Sequence, residues 1–138
     1  MLSLGEIREA VVGASGSLDC VYVLLFGSRA AGSAKGYSDV DVAVKFMNSN
    51  NSLDKALNLM SDVEALLGVH VDVIPLNIAD TIIKYEAYSG GIILFCRDYD
   101  RYMDDFINAV DEYLDFEYVF NMFYEITVKE IRDACSGG

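Results

Sequence analysis

Three observations predict an α/β (α+β) fold, with about four strands flanked by helices and a helical C-terminal segment. Helical and strand-like patterns alternate as far as residue 96. The stretch 21–26, Val-Tyr-Val-Leu-Leu-Phe, is apolar on both faces, as a strand covered from two sides must be. From residue 98 onward the apolar spacing is helical only.

The chain has 138 residues, of which 53% are hydrophobic and one is proline, which is enough apolar material for one core and too little for two. A single domain over 1–138 is expected, with 1–97 as its core and 98–138 as the helical addition. Twenty-two acidic residues against ten basic ones give a net charge of −12, which repels a nucleic-acid backbone and disfavours direct nucleic-acid binding. No apolar run reaches bilayer length, and the first residues lack the basic start and small-residue cleavage site of a signal peptide. A cytoplasmic protein that does not enter membranes is expected. Cys20, Cys96 and Cys135 are odd in number and far apart, which fits reduced thiols.

Ser3-Leu4-Gly5-Glu6 has the form of a capping box, opening a helix with Leu4, Ile7 and Val11 on one stripe and Gly13 at its end. A small Gly/Ser-rich connection leads into the strand at 21–26. Gly27-Ser28 then turns the chain into a short helix. Glycine lets a bulky group approach the backbone, serine offers a hydroxyl, and the opening N–H groups of a helix carry partial positive charge, so the turn suits a phosphate. In the following strand Asp39 and Asp41 are two residues apart and share one face, while Val40, Val42, Val44 and Phe46 pack the other. Paired carboxylates suit a hard divalent ion, and Mg²⁺ is commonly held by one or two of them together with substrate phosphates.

Ser52 is expected to cap a helix carrying Leu53, Leu57, Met60, Val63 and Leu67 on one side and ending at Gly68. The strand at 69–74, closed by Pro75, carries Asp72 on one face with His70 and Ile74. Beside the motif strand, Asp72 would join Asp39 and Asp41. His70, the one histidine, reads as a partly exposed strand residue that a hard-cation site does not need. Asn77 is expected to cap a helix over 78–89, Gly90-Gly91 to break it, and 92–96 to form a last strand.

The segment 98–133 holds eleven acidic and three basic side chains, a net −8, and is expected to be helical with a break near Asp115. Its aromatics, Tyr99, Tyr102, Phe116, Tyr118, Phe120 and Phe123, exceed one core-facing stripe. They point either to a protein interface or to packing within the domain. Asp111, Glu112 and Asp115 are the acids expected to meet a basic partner.

Gly27-Ser28, ten intervening residues and then Asp39-Val40-Asp41, with Asp72 on a later strand, resembles the signature of the DNA polymerase β-like nucleotidyltransferase superfamily. Over about 21–96 the chain is similar to its small stand-alone members, the minimal nucleotidyltransferases, which include MNT antitoxins paired with HEPN toxins. The resemblance implies a polymerase β-like fold with a mixed sheet, and transfer of AMP from ATP to a hydroxyl with two Mg²⁺ ions. It assigns Asp39, Asp41 and Asp72 as metal ligands and catalytic residues, and Gly27, Ser28 and Arg29 to the nucleotide. It implies as acceptor a tyrosine of a HEPN-type toxin. A binding-only antitoxin and an aminoglycoside-type small-molecule enzyme are the alternatives, and self-association is left open. Many members carry an arginine where this chain has Ala31, and whether Arg29 takes that place bears on catalytic strength.

Overall fold

The computed structural model describes residues 2–27, 30 and 39–136. Ser28, Arg29 and Ala31, and the short helix expected after Gly27, lie outside the described residues. The elements are α1 (Leu4–Ser15), β1 (Cys20–Phe26), β2 (Val40–Phe46), α2 (Ser52–Leu67), β3 (Val71–Pro75), a 3₁₀ turn (Leu76–Ile78), α3 (Thr81–Gly90), β4 (Ile92–Cys96) and α4 (Tyr99–Ser136). The four strands form one sheet in the order β3-β2-β1-β4. β2 and β3 run parallel, and β1 is antiparallel to both β2 and β4, so the sheet is mixed.

Both central strands are buried because helices cover the sheet on either side. On one side Ile7, Ala10 and Val11 of α1 and Ala56, Leu59 and Val63 of α2 pack against Val23, Leu25, Val40, Val42, Val44 and Phe46. On the other, Ala87 and Tyr88 of α3 and Tyr102 and Ala109 of α4 cover Val21, Tyr22, Leu24 and Ala43. Burial of this apolar surface is the main favourable term in the fold. A buried polar chain ties α3 and α4 to the sheet. The Tyr22 hydroxyl donates to Asp105 Oδ2 at 2.7 Å and accepts from Tyr88 Oη, while Arg101 Nε donates to the same aspartate. Burial drives the Tyr22 phenol far up and the Tyr88 phenol to about 12, so both remain neutral donors.

Several elements depart from the sequence expectation, each for a local reason. The capping box of α1 forms, with Ser3 Oγ accepting from the Glu6 N–H at 3.1 Å, but the helix passes Gly13 and ends at Gly16. Burial of Ala14, and of Ser15 with its hydroxyl on the Val11 carbonyl, carries it one turn further. Ser52 lies inside α2 and donates to the Ser49 carbonyl at 2.6 Å, and Asn51, in a left-handed conformation, stands at the cap. The buried face of α2 is Ala56, Leu59 and Val63, whereas Leu53 and Leu57 are exposed. Both sets recur at helical spacing, and the small Ala56 lets that side approach the sheet.

Asn77 caps no helix. Its amide oxygen accepts from the Phe46 N–H at 2.8 Å and its amide nitrogen donates to the Phe46 carbonyl at 2.9 Å, completing the end of β2 as a further strand would. Asp80 caps α3 instead, accepting from the Ile83 N–H. Because Phe46 is fully buried, Asn77→Ala would leave two backbone groups without these partners. It is expected to lower stability by ~2–3 kcal/mol, read as a lower urea midpoint at unchanged slope.

α4 is one helix of 38 residues with no break at Asp115. Its first half packs on α3 and the sheet. Glu112 takes Lys84 Nζ at 2.6 Å and the Thr81 hydroxyl at 2.8 Å, which hold its carboxyl below the usual range. Glu112 is therefore engaged within the fold and is removed from the set expected to meet a partner. Beyond Tyr113 the helix leaves the body of the molecule. Leu114, Phe116, Tyr118, Phe120, Phe123 and Tyr124 are all exposed, Tyr118 by 72%. Of the two readings of these aromatics, packing within the fold is not what this half of α4 does.

Candidate active site

Three segments far apart in sequence meet where β1 ends and β2 and β3 begin. The antiparallel register sets Phe26 opposite Asp41, and the parallel register sets Asp41 beside Asp72. Gly27 follows β1 with φ of +77°, a region costly for residues with a Cβ. A Cβ there would also stand 2.8 Å from Asp41 Oδ2, so glycine is needed both for the turn and for the approach to the carboxylate. Asp39 immediately precedes β2, and one ligand atom each from Asp39, His70 and Asp72 lie within 4.8 Å of one another. The His70 carbonyl accepts from the Val40 N–H at 3.1 Å, which locks the starts of the two strands together.

The electrostatics follow from this crowding. Partial burial, then the charges of Asp72 and Asp39 and a hydrogen bond to Asp72, push the Asp41 carboxyl above its usual range. Like charges at short range resist ionising together unless a cation joins them. The donor set, carboxylate oxygens converging at the end of a sheet, fits a hard divalent ion. Gly27, Asp39, Asp41 and Asp72 are thus brought together as the sequence predicts.

Two further side chains stand at the site. His70, set aside as a ligand, places Nε2 3.0 Å from Asp72 Oδ1 and Nδ1 3.1 Å from Glu64 Oε1. The Asp72 charge raises its pKa most strongly. The alternation His70-Val71-Asp72 already placed it on the face of Asp72. Glu64 had no such signal, because it reaches the start of β3 only through the left-handed turn at Gly68, whose N–H closes α2 on the Glu64 carbonyl.

The family model described as "Polymerase beta, Nucleotidyltransferase" matches residues 15–100. The chain belongs to this nucleotidyltransferase family. The match spans every strand of the sheet and all four gathered site residues. A comparison with curated protein sequences finds no match.

Solved structures share the fold more widely. A toxin–antitoxin crystal structure with AMP-PNP superposes with a TM-score of 0.67 at 20% identity, over 94% of this chain and 99% of that one. The MntA–HepT toxin–antitoxin gives 0.71 at 14% identity, over 88% of this chain and 97% of that one. A chain from the complex of tri-AMPylated Shewanella oneidensis HEPN toxin with MNT antitoxin gives 0.72 at 15% identity, over 91% and 99%. Coverage of this nucleotidyltransferase therefore extends past the family match into α4. Among the described residues no helix is long and apolar enough to cross a membrane.

Proposed function

We propose that this nucleotidyltransferase moves AMP from ATP to a tyrosine hydroxyl of a HEPN-type toxin and so acts as that toxin's antitoxin. The observation that carries the reading is the meeting of Asp39, Asp41 and Asp72 beside Gly27 in a chain of this family. The acceptor oxygen attacks the α-phosphorus, the bond to the β-phosphate oxygen breaks, and pyrophosphate leaves as the hydroxyl proton is taken up. Two Mg²⁺ ions held by Asp39 and Asp41, one of them shared with Asp72, would neutralise the triphosphate and lower the acceptor's pKa. Gly27 keeps the space beside Asp41 clear of a side chain. Gly27 and Ser28 are assigned to the β- and γ-phosphates, and Arg29 to the nucleotide. Asp72 accepts the proton of the attacking hydroxyl.

The partner assignment rests on α4. Its exposed half combines aromatic anchors with Asp115, Glu117 and Glu125, with the exposed Asp111 just before it, a surface suited to a basic protein. An RNA-cutting partner needs positive charge to hold its substrate. The structures of similar fold include toxin–antitoxin complexes, one with an AMPylated HEPN toxin. The same surface supports a second reading in which the chain neutralises the partner by covering it. A cytoplasmic location goes with both.

Co-expression with a HEPN-type toxin separates them. The toxin is expected to gain one or more AMP units by intact mass, located on tyrosine by fragmentation. Asp72→Asn is expected to keep Mg²⁺-ATP affinity within about tenfold, ~1.4 kcal/mol, while losing the mass gain. A toxin that is bound and silenced but never modified would leave the covering mode alone.

A further inference from the structure

We infer that His70 is a metal donor in this site, its Nε2 completing with Asp39 and Asp72 a position for a borderline divalent ion such as Mn²⁺ or Co²⁺, with Glu64 orienting the imidazole. The inference rests on the proposed role of the aspartates as metal ligands and adds the chemical class of ion that the site takes.

Its first support is distance. Two donors on neighbouring vertices of an octahedron with bonds of ~2.1 Å stand ~3.0 Å apart. His70 Nε2 and Asp72 Oδ1 stand 3.0 Å apart, and Asp39 brings a third donor atom within 4.8 Å of both. The imidazole is half exposed among the described residues, which leaves it open to an ion.

The second support lies on the other side of the ring. A metal-bound imidazole almost always donates its remaining N–H to a carboxylate, carbonyl or water, which fixes both tautomer and ring orientation. Glu64 Oε1 stands 3.1 Å from His70 Nδ1. The same oxygen accepts the Val71 N–H at 3.1 Å, so the carboxylate is anchored to the start of β3 and cannot follow the ring if it turns. With Nδ1–H directed at Glu64, the Nε2 lone pair is directed toward the side of Asp39 and Asp72. Carboxylate, imidazole and ligand position thus lie in sequence.

The third support is ligand chemistry. Magnesium prefers all-oxygen surroundings, whereas imidazole suits first-row transition ions. A site with the aspartates alone would be tuned to Mg²⁺. The added nitrogen raises affinity for Mn²⁺ and Co²⁺ far more than for Mg²⁺.

The test uses the full chain without an added histidine tag, freed of metal and titrated with Mn²⁺ alone. His70 is the one histidine in the sequence, so any imidazole signal belongs to it. Pulsed electron paramagnetic resonance is expected to show ¹⁴N modulation of the bound Mn²⁺, converted to the ¹⁵N pattern by ¹⁵N-histidine labelling and lost in His70→Gln. The same substitution is expected to weaken Mn²⁺ binding ~10–100-fold and Mg²⁺ binding less than about twofold. Glu64→Gln is expected to weaken Mn²⁺ about tenfold while keeping the nitrogen signal.

Wild-type protein that binds Mn²⁺ without nitrogen modulation would overturn the inference, as would an equal loss of both ions in His70→Gln, which would leave His70 a counter-charge for Asp72. Asp39→Asn separates this from the reading beneath it. Unchanged Mn²⁺ binding in that variant removes the aspartate site itself, whereas lost binding together with a wild-type spectrum free of nitrogen coupling removes only the part given to His70.

Discussion

Asp39→Asn is expected to reduce nucleotidyl transfer by at least ~10³-fold, equivalent to ~4 kcal/mol of transition-state stabilisation, without unfolding the protein. Asp39 precedes β2 at an exposed position, and asparagine keeps nearly its size and shape. Its carboxylate is among the causes that push Asp41 up, so in metal-free protein the substitution relieves repulsion. The melting temperature without Mg²⁺ is expected to hold or rise slightly, and Mg²⁺ is expected to stabilise wild type but not the variant. Asp41→Asn should act alike on transfer. Full activity in either variant, measured by label transfer from ATP, would remove these aspartates from the mechanism.

The second large effect is expected at the far end of the molecule. Replacing Asp111, Asp115 and Glu125 with lysine should slow association with the proposed HEPN-type partner by ~10–100-fold at low salt and flatten the dependence of that rate on ionic strength. Glu112 is left in place because Lys84 and Thr81 hold it, and changing it would loosen α3 from α4. The three chosen acids are exposed, so the circular dichroism spectrum is expected to be unchanged. Stopped-flow association at two salt concentrations checks the prediction, and an unchanged rate at low salt would dismiss electrostatic docking through α4.

Much of the site could be read from residue order because its parts are strand-borne. In a strand the alternation of side chains is rigid, so two-residue spacing put Asp39 and Asp41 on one face, whereas the level of Asp72 with Asp41 came from the parallel pairing that the structure shows. Glycine at the end of β1 carried its own reason. Asn77 and Glu64 were not readable in this way. Each acts on backbone distant in sequence, Asn77 on Phe46 and Glu64 on Val71, and only tertiary structure brings them there. In α2 the two apolar sets were equally periodic, and the choice fell to the side whose Ala56 allows close approach. The continuity of α4 was hidden because an exposed helix has no partner to impress a stripe on it.

At ~1.5 Å per residue, the 38 residues of α4 extend ~57 Å, and almost every residue of its latter half is exposed. Most helical stability in proteins comes from tertiary packing of one face, so this half is expected to fray before the first half, which packs on the sheet. A single unfolding temperature does not describe both. Whatever captures the outer half must also supply the entropy of ordering it, and the binding constant therefore contains the helix propensity of residues that need not touch the partner. Asn121 and Thr127 are poor helix formers on that stretch. Through them the grip of this protein on the proposed partner is expected to be loosened or tightened by composition alone, with every contact left as it was.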